Sequence, residues 1–153
     1  MRPEAIRQGD IPGVQLRLRR ALPLEVEEAW RWLTDPERME RWLGAVAGGG
    51  AGELTLTSES ASGDPVRERL TTRQRHPPRQ WSVALLRLDA GWQAATLLVF
   101  ELTPAASGCE LDVLQTGFQQ LALSTCLTEW ERYRRRWRRA LDRLAAAVGE
   151  PGA

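Results

Sequence analysis

An α+β fold, with an antiparallel sheet wrapped around one long C-terminal helix, is predicted by the order of the hydrophobic patterns along the chain. Three observations carry that expectation. Val14, Leu16, Leu18 and Leu22 fall on alternate positions, the period of a strand. Leu24 to Pro36 switches to helical spacing, and from Leu121 to Val148 apolar residues recur every three or four positions. Between these lie four or more short alternating segments separated by turns. A sheet with helices at its two sequence ends can leave a cavity against the last helix. That suits holding a small apolar molecule better than acid–base chemistry.

Residues 1–13 carry Pro and Gly without periodicity and read as a lead-in to a single domain over 14–148, with 149–153 as a tail. The first strand, about Val14 to Leu22, is stopped by Pro23. In the first helix Val26, Ala29, Trp30 and Leu33 share a face, and Glu25, Glu27, Glu28 and Arg31 face water. The early acids complement the helix dipole. Asp35 then caps a second short helix whose first position is Pro36 and which carries Met39 and Trp42.

The cluster from Gly44 to Gly52 lacks the Lys-Ser/Thr ending of a phosphate-binding loop and the context of a dinucleotide fingerprint, so a flexible loop is expected. Strands are predicted at Glu53–Thr57, Val66–Arg75, Gln80–Leu88, Ala94–Leu102 and Cys109–Phe118. The turns between them hold Ser62-Gly63-Asp64-Pro65, His76-Pro77-Pro78, Asp89-Ala90-Gly91 and Thr103 to Gly108. Hairpin-length spacings make this a meander. The last helix has its stripe at Leu123, Cys126, Leu127, Trp130, Tyr133, Trp137, Ala140, Leu141, Leu144 and Val148, and ends at Gly149 and Pro151. At ~1.5 Å per residue, about 28 residues reach across a whole sheet.

Composition narrows the function. The chain of 153 residues is 42% hydrophobic and 27% charged, ordinary for one soluble globular domain. All 21 basic residues are Arg, the mark of a GC-rich bacterial genome. The net charge of +1 gives no global field toward nucleic acid or an anionic membrane. No apolar run approaches the ~20 residues of a transmembrane helix, and the first residues lack the apolar core of a secretory signal, so a cytoplasmic location is expected. Cys109 and Cys126 have neither metal-ligand spacing nor a nearby histidine and read as small apolar side chains.

Several stretches, taken in order, resemble a known superfamily. They are Leu22-Pro23-Leu24-Glu25-Val26-Glu27-Glu28-Ala29-Trp30, Leu33-Thr34-Asp35-Pro36 with Trp42, Pro77-Pro78-Arg79, Val99 to Pro104, Gly108 to Val113, Gly117-Phe118, and the closing Trp137, Leu141 and Leu144. Over about Val14 to Val148 the chain resembles the SRPBCC (START-like, helix-grip, birch-pollen-allergen-like) superfamily. More narrowly, it resembles the branch related to the activator of heat-shock-protein-90 ATPase. The resemblance implies the helix-grip fold, a curved antiparallel sheet gripping the C-terminal helix around an apolar cavity. Members bind lipids, sterols, polyketides or hormone-like ligands; a few catalyse cyclisation, and others act as cochaperones. Where the family often has His before the Gly-Phe pair this chain has Gln115, which removes one acid–base candidate. Arg136 stands where Gly often precedes the closing Trp, and Cys109 follows Gly108 in place of Thr.

The seven tryptophans are spread over helices and strands, so most are expected to fill the space between sheet and helix. Trp42, Trp81 and Trp130 are the candidates for an aromatic wall, each offering an N–H donor. Strand parity turns Trp81, Val83 and Leu85 inward, with Thr96, Leu98 and Phe100, and Leu111, Val113 and Gln115. With Leu54, Glu68, Leu70, Tyr133 and Trp137 these make up the predicted ligand-contacting set. Gln115 needs a partner amid apolar neighbours. Leu86, Leu97, Val99 and Leu114 take the outward parity and suggest a homodimer surface.

His76, the only histidine, precedes two prolines and is expected in an exposed turn, which excludes a Ser-His-Asp or Cys-His arrangement. Glu68, near Arg67, Arg69 and Arg73, reads as a cross-strand ion pair or, with an arginine, as a holder of a ligand's polar head. The run Arg132 to Arg139 reads as a solvated helix face supported by Glu129 and Glu131. No catalytic set, metal site or cofactor is expected. The chain reads as a binding protein for a small hydrophobic molecule, without nucleic-acid binding or membrane insertion. The alternatives are a cochaperone-like domain with an acidic protein partner and a cyclase-like enzyme using Glu68.

Overall fold

The computed structural model describes residues 15–48, 52–60 and 62–149; the predicted lead-in and the centre of the glycine cluster lie outside them. Strand β1 (Gln15–Leu22) leads into helices α1 (Val26–Thr34) and α2 (Pro36–Trp42). Strands β2 (Ala45–Gly48), β3 (Glu53–Glu59), β4 (Pro65–His76), β5 (Gln80–Arg87), β6 (Thr96–Ala105) and β7 (Gly108–Thr116) follow. A short 3-10 turn (Phe118–Gln120) then precedes the long helix α3 (Leu123–Val148). The seven strands form one antiparallel sheet in the order β1-β7-β6-β5-β4-β3-β2. β2 to β7 are a plain meander, and β1 closes it by pairing along the whole of β7. The curved sheet holds α3 against its inner face: this is the α+β helix-grip fold.

The alternation read from the sequence becomes the core. Leu56, Leu70, Val83, Leu85, Leu98, Phe100, Leu111 and Val113 are buried on the inner face, and Tyr133, Trp137, Leu141 and Leu144 meet them from α3. Removing such side chains from water is the main stabilising term. Asp35 caps α2 as expected, accepting from the Glu37 N–H at 3.2 Å.

Five local expectations are corrected. On α1 the fully buried tryptophan is Trp32, with Trp30 only half-buried. Both flank the Val26–Ala29–Leu33 stripe, and packing of α2 decides between them. The Trp42 indole N–H donates to the Trp32 carbonyl at 2.9 Å, and the guanidinium carbons of Arg38 and Arg41 lie 5.6 and 5.0 Å from the Trp32 ring centroid.

The start of the glycine cluster forms the edge strand β2 rather than a loop. Gly44 permits it: a Cβ there would sit 2.5 Å from the Thr57 carbonyl oxygen, at a φ of +150°. β6 runs past Pro104, which stands where only β7 lies beside it, an edge position that tolerates a missing N–H. The hairpin closes tightly at Gly108, where a Cβ would fall 2.1 Å from the Leu22 carbonyl oxygen. On α3, Leu127 is 59% exposed, because its position turns off the sheet. His76 is exposed as expected, but ends β4 rather than standing in a turn.

Candidate functional site

α3 passes the turn end of the β3–β4 hairpin, and a cleft of about 630 Å³ lies between them. One wall is the hairpin, through Ser58, Glu59, Ser60, Ser62, Asp64 and Val66. The other is the helix, through Arg132, Tyr133, Arg135, Arg136, Arg138 and Arg139, with Arg87 of β5 between them. Positions 132, 135, 136 and 139 are spaced i, i+3, i+4 and i+7, so the helical period brings these arginines onto one side of α3.

Beneath the cleft is a buried charge network. The carboxylate of Glu68, on β4, is fully buried. One of its oxygens, Oε2, accepts both the Tyr133 hydroxyl and the Arg136 Nη1–H. The Arg136 guanidinium carbon lies 5.6 Å from the Tyr133 ring centroid and 5.1 Å from that of Trp137, stacking contacts that fix its direction. Glu68 Oε1 and Arg136 Nη2 are buried and have no hydrogen-bond partner among the described residues. Glu68 therefore pairs with the helix rather than with Arg67, Arg69 or Arg73 of its own strand, and Arg136 leaves the solvated face expected for it. The register explains this: Glu68 shares the inner face of β4 with Val66 and Leu70, while its odd-numbered neighbours face out.

A second pair lies about two helical turns before Arg136. Glu129, nearly fully buried, accepts from Arg87 Nη1 at 3.0 and 3.3 Å, and Arg132 Nη1 approaches the same carboxylate at 3.5 Å. Arg87 Nε also donates to Asp89 at 3.1 Å. Burial alone would weaken the Arg87 charge, but Glu129 and Asp89 outweigh it, so its pKa rises from the ordinary arginine value. Glu131 meets Arg134, at 3.2 Å.

Burial, and then the adjacent Glu68 charge, push the Tyr133 phenol well above the ordinary tyrosine value of 10.0. A pKa raised on folding means that the folded state keeps a proton the unfolded state loses, so the stability present below pH 10 declines as pH rises past it. Tyr133 is the sole tyrosine. Its phenolate absorbance should stay silent at alkaline pH until the protein unfolds, and Tyr133→Phe should flatten the alkaline limb of a urea-denaturation stability profile. Titration of the folded phenol near pH 10 would contradict the burial.

The remaining predicted ligand-contacting residues are distributed as follows. Tyr133 lines the cleft and Glu68 stands behind it. Trp42, Trp81 and Trp137 surround Phe100 at centroid distances of 6.3, 5.7 and 5.8 Å, with Trp81 stacked and the other two edge-on. Gln115 is satisfied on both sides: its amide donates to Thr96 Oγ1 at 2.9 Å and accepts from the Trp137 N–H at 2.8 Å. Trp81 donates to Thr72 Oγ1 at 3.0 Å, and Trp130 to the Gln15 carbonyl at 2.6 Å. Leu70, Val83, Leu98, Leu111 and Val113 are buried in the same core, and Leu54 is half-buried against it. On the outer face Leu97 is exposed and Leu86, Val99 and Leu114 are half-buried, as their parity predicts.

The cleft arginines and the hairpin serines were absent from the predicted set. Their signal was present in the i, i+3, i+4, i+7 arginine spacing. A run of like charge on a helix is indistinguishable from a solvated face until the element opposite it is known. Among the described residues no group of three His, Cys, Asp or Glu side chains could hold a metal ion, and no helix is long and apolar enough to cross a membrane.

Comparison with known proteins extends this picture. The family model described as Activator of Hsp90 ATPase homolog 1-like protein matches residues 23–149. No curated protein sequence matches the chain. Among solved structures, protein Ms6760 from Mycobacterium smegmatis superposes with a TM-score of 0.78 at 14% identity, covering 95% of this chain and 97% of that one. Protein CV1439 from Chromobacterium violaceum gives 0.74 at 22% identity, covering 89% and 97%. DynU16, from the dynemicin biosynthetic locus, gives 0.71 at 18% identity, covering 88% of this chain and 46% of its own length. At these identities the likeness is one of fold.

Proposed function

This chain belongs to the family of Activator of Hsp90 ATPase homolog 1-like proteins, and on that premise we propose that it binds a small amphipathic organic molecule in the cleft between α3 and the β3–β4 hairpin. The cleft carries the reading. Its volume of about 630 Å³ is that of a small-molecule site. Its wall joins the Tyr133 ring, Val66 and the aliphatic stems of several arginines to a polar rim. The predicted aromatic set stands in the core rather than in the cleft wall, with Trp42 and Trp81 packed on Phe100, so the Tyr133 ring and Val66 supply the apolar surface that meets the ligand. The place of DynU16 in the dynemicin biosynthetic locus is in keeping with such a role. The network behind the cleft holds Glu68 by two donors, which suits positioning better than proton transfer, so binding without catalysis is the reading adopted.

Tryptophan fluorescence tests it, because the Trp92 ring lies 5.7 Å from Tyr133. A panel of medium-chain and aromatic acids and alcohols should produce saturable fluorescence changes and raise the melting temperature, with ~2.7 kcal/mol of stabilisation at a hundredfold excess over Kd. Ser60→Phe, which fills the cleft from the hairpin side, should abolish both responses and leave the melting temperature without ligand unchanged. Silence of the natural protein across the panel would remove the proposal.

A further inference from the structure

We infer that the group this cleft recognises on its occupant is an oxyanion, a carboxylate or phosphate at the end of a short apolar chain, held by the arginine stripe of α3. The inference rests on the proposed cleft as a ligand site and assigns its chemistry. Six guanidinium groups line the cleft against two carboxylates, Glu59 and Asp64, on a chain whose net charge is only +1. The positive charge is concentrated there.

Internal pairing does not consume it. Arg87 and Arg132 meet Glu129, and Arg136 meets Glu68. Arg135, Arg138 and Arg139 have no carboxylate within ion-pair distance among the described residues, and neither Glu59 nor Asp64 reaches an arginine. Three guanidinium groups converging on one concavity without counter-charge repel one another, and an anion relieves that repulsion. Guanidinium suits the task because its planar fork of donors matches two oxygens of a carboxylate or phosphate.

Glu68 acts as a positioning residue. It neutralises one buried charge and clamps Arg136 through Nη1, while the Tyr133 and Trp137 rings hold the plane of the guanidinium. The innermost member of the stripe is thereby ordered before any ligand arrives, which lowers the entropic cost of binding. The concave shape favours a small anion over an extended acidic macromolecule, whose contacts would spread along an open face.

Calorimetric titration of the full chain with decanoate, decyl phosphate and decanol separates the possibilities. Both anions should bind about tenfold or more tighter than decanol. Their advantage should shrink in about 0.5 M salt, where exposed charges are screened, and Arg135→Gln with Arg139→Gln should bring the anions to the affinity of decanol. Equal binding of all three by the natural protein would overturn the anion assignment and leave the cleft reading standing. So would an anion preference that survives the double substitution. Failure of all three to bind would overturn both, and binding of a poly-glutamate peptide in their absence would assign the stripe to an acidic protein.

Discussion

Arg136→Met is expected to lower the unfolding free energy by about 3–5 kcal/mol, because it strands a buried carboxylate. Glu68 has no exposure and depends on the guanidinium and the Tyr133 hydroxyl. Without Arg136 a single hydroxyl would have to solvate a full charge in the interior. Removing the whole polar group tests the cause: Glu68→Met and Tyr133→Phe, added to Arg136→Met, should recover most of the loss, since an apolar replacement of a buried pair is often neutral or stabilising. Urea denaturation of the single and combined variants measures this. Additive losses across the series would show that Glu68 and Arg136 do not interact in the folded protein. The same experiment bears on the cleft, because the clamp that stabilises the fold also aims the deepest arginine.

Phe100→Ala is the second large effect, expected to cost about 3–5 kcal/mol. Phe100 is 1% exposed, and its ring is enclosed by Trp42, Trp81 and Trp137. Those side chains come from α2, β5 and α3, so truncation opens a cavity where three elements meet. All three tryptophans are further constrained by their N–H bonds, Trp42 to the Trp32 carbonyl, Trp81 to Thr72 Oγ1 and Trp137 to Gln115, so they cannot easily collapse into the space. A reduced denaturation midpoint together with red-shifted tryptophan emission would establish the enclosure. A loss below about 1 kcal/mol would show that the cluster repacks freely.

The contrast between these two residues marks where reading from the chain reaches its limit. Phe100 was assignable to the inner face because strand parity is a local property: Thr96, Leu98 and Phe100 alternate, and burying one fixes the others. The same logic identified Gln115 as a polar group requiring a core partner, and Thr96 and Trp137 supply it. Arg136 could not be assigned in that way. Its neighbours Arg134, Arg135, Arg138 and Arg139 share its chemistry, and its burial depends on Glu68, which lies 68 residues earlier in the chain.

Trp32 shows the same limit on a smaller scale. Spacing within α1 favours Trp30, at i+4 from Val26, and only the arrival of α2, with Trp42, Arg38 and Arg41, buries Trp32 instead. The strand β2 was hidden for a related reason. Four small residues beside glycines have little strand propensity of their own and are held by pairing with β3.

Periodicity and order along the chain therefore carried the helix-grip architecture, the inner face of the sheet and the core stripe of α3, because each follows from which side of one element is apolar. The cleft, its arginine wall and the buried Glu68–Tyr133–Arg136 network were settled only when α3 came to lie across the β3–β4 hairpin. Charges acquire their role from the partner opposite them, and that partner is distant in sequence and close only in the fold.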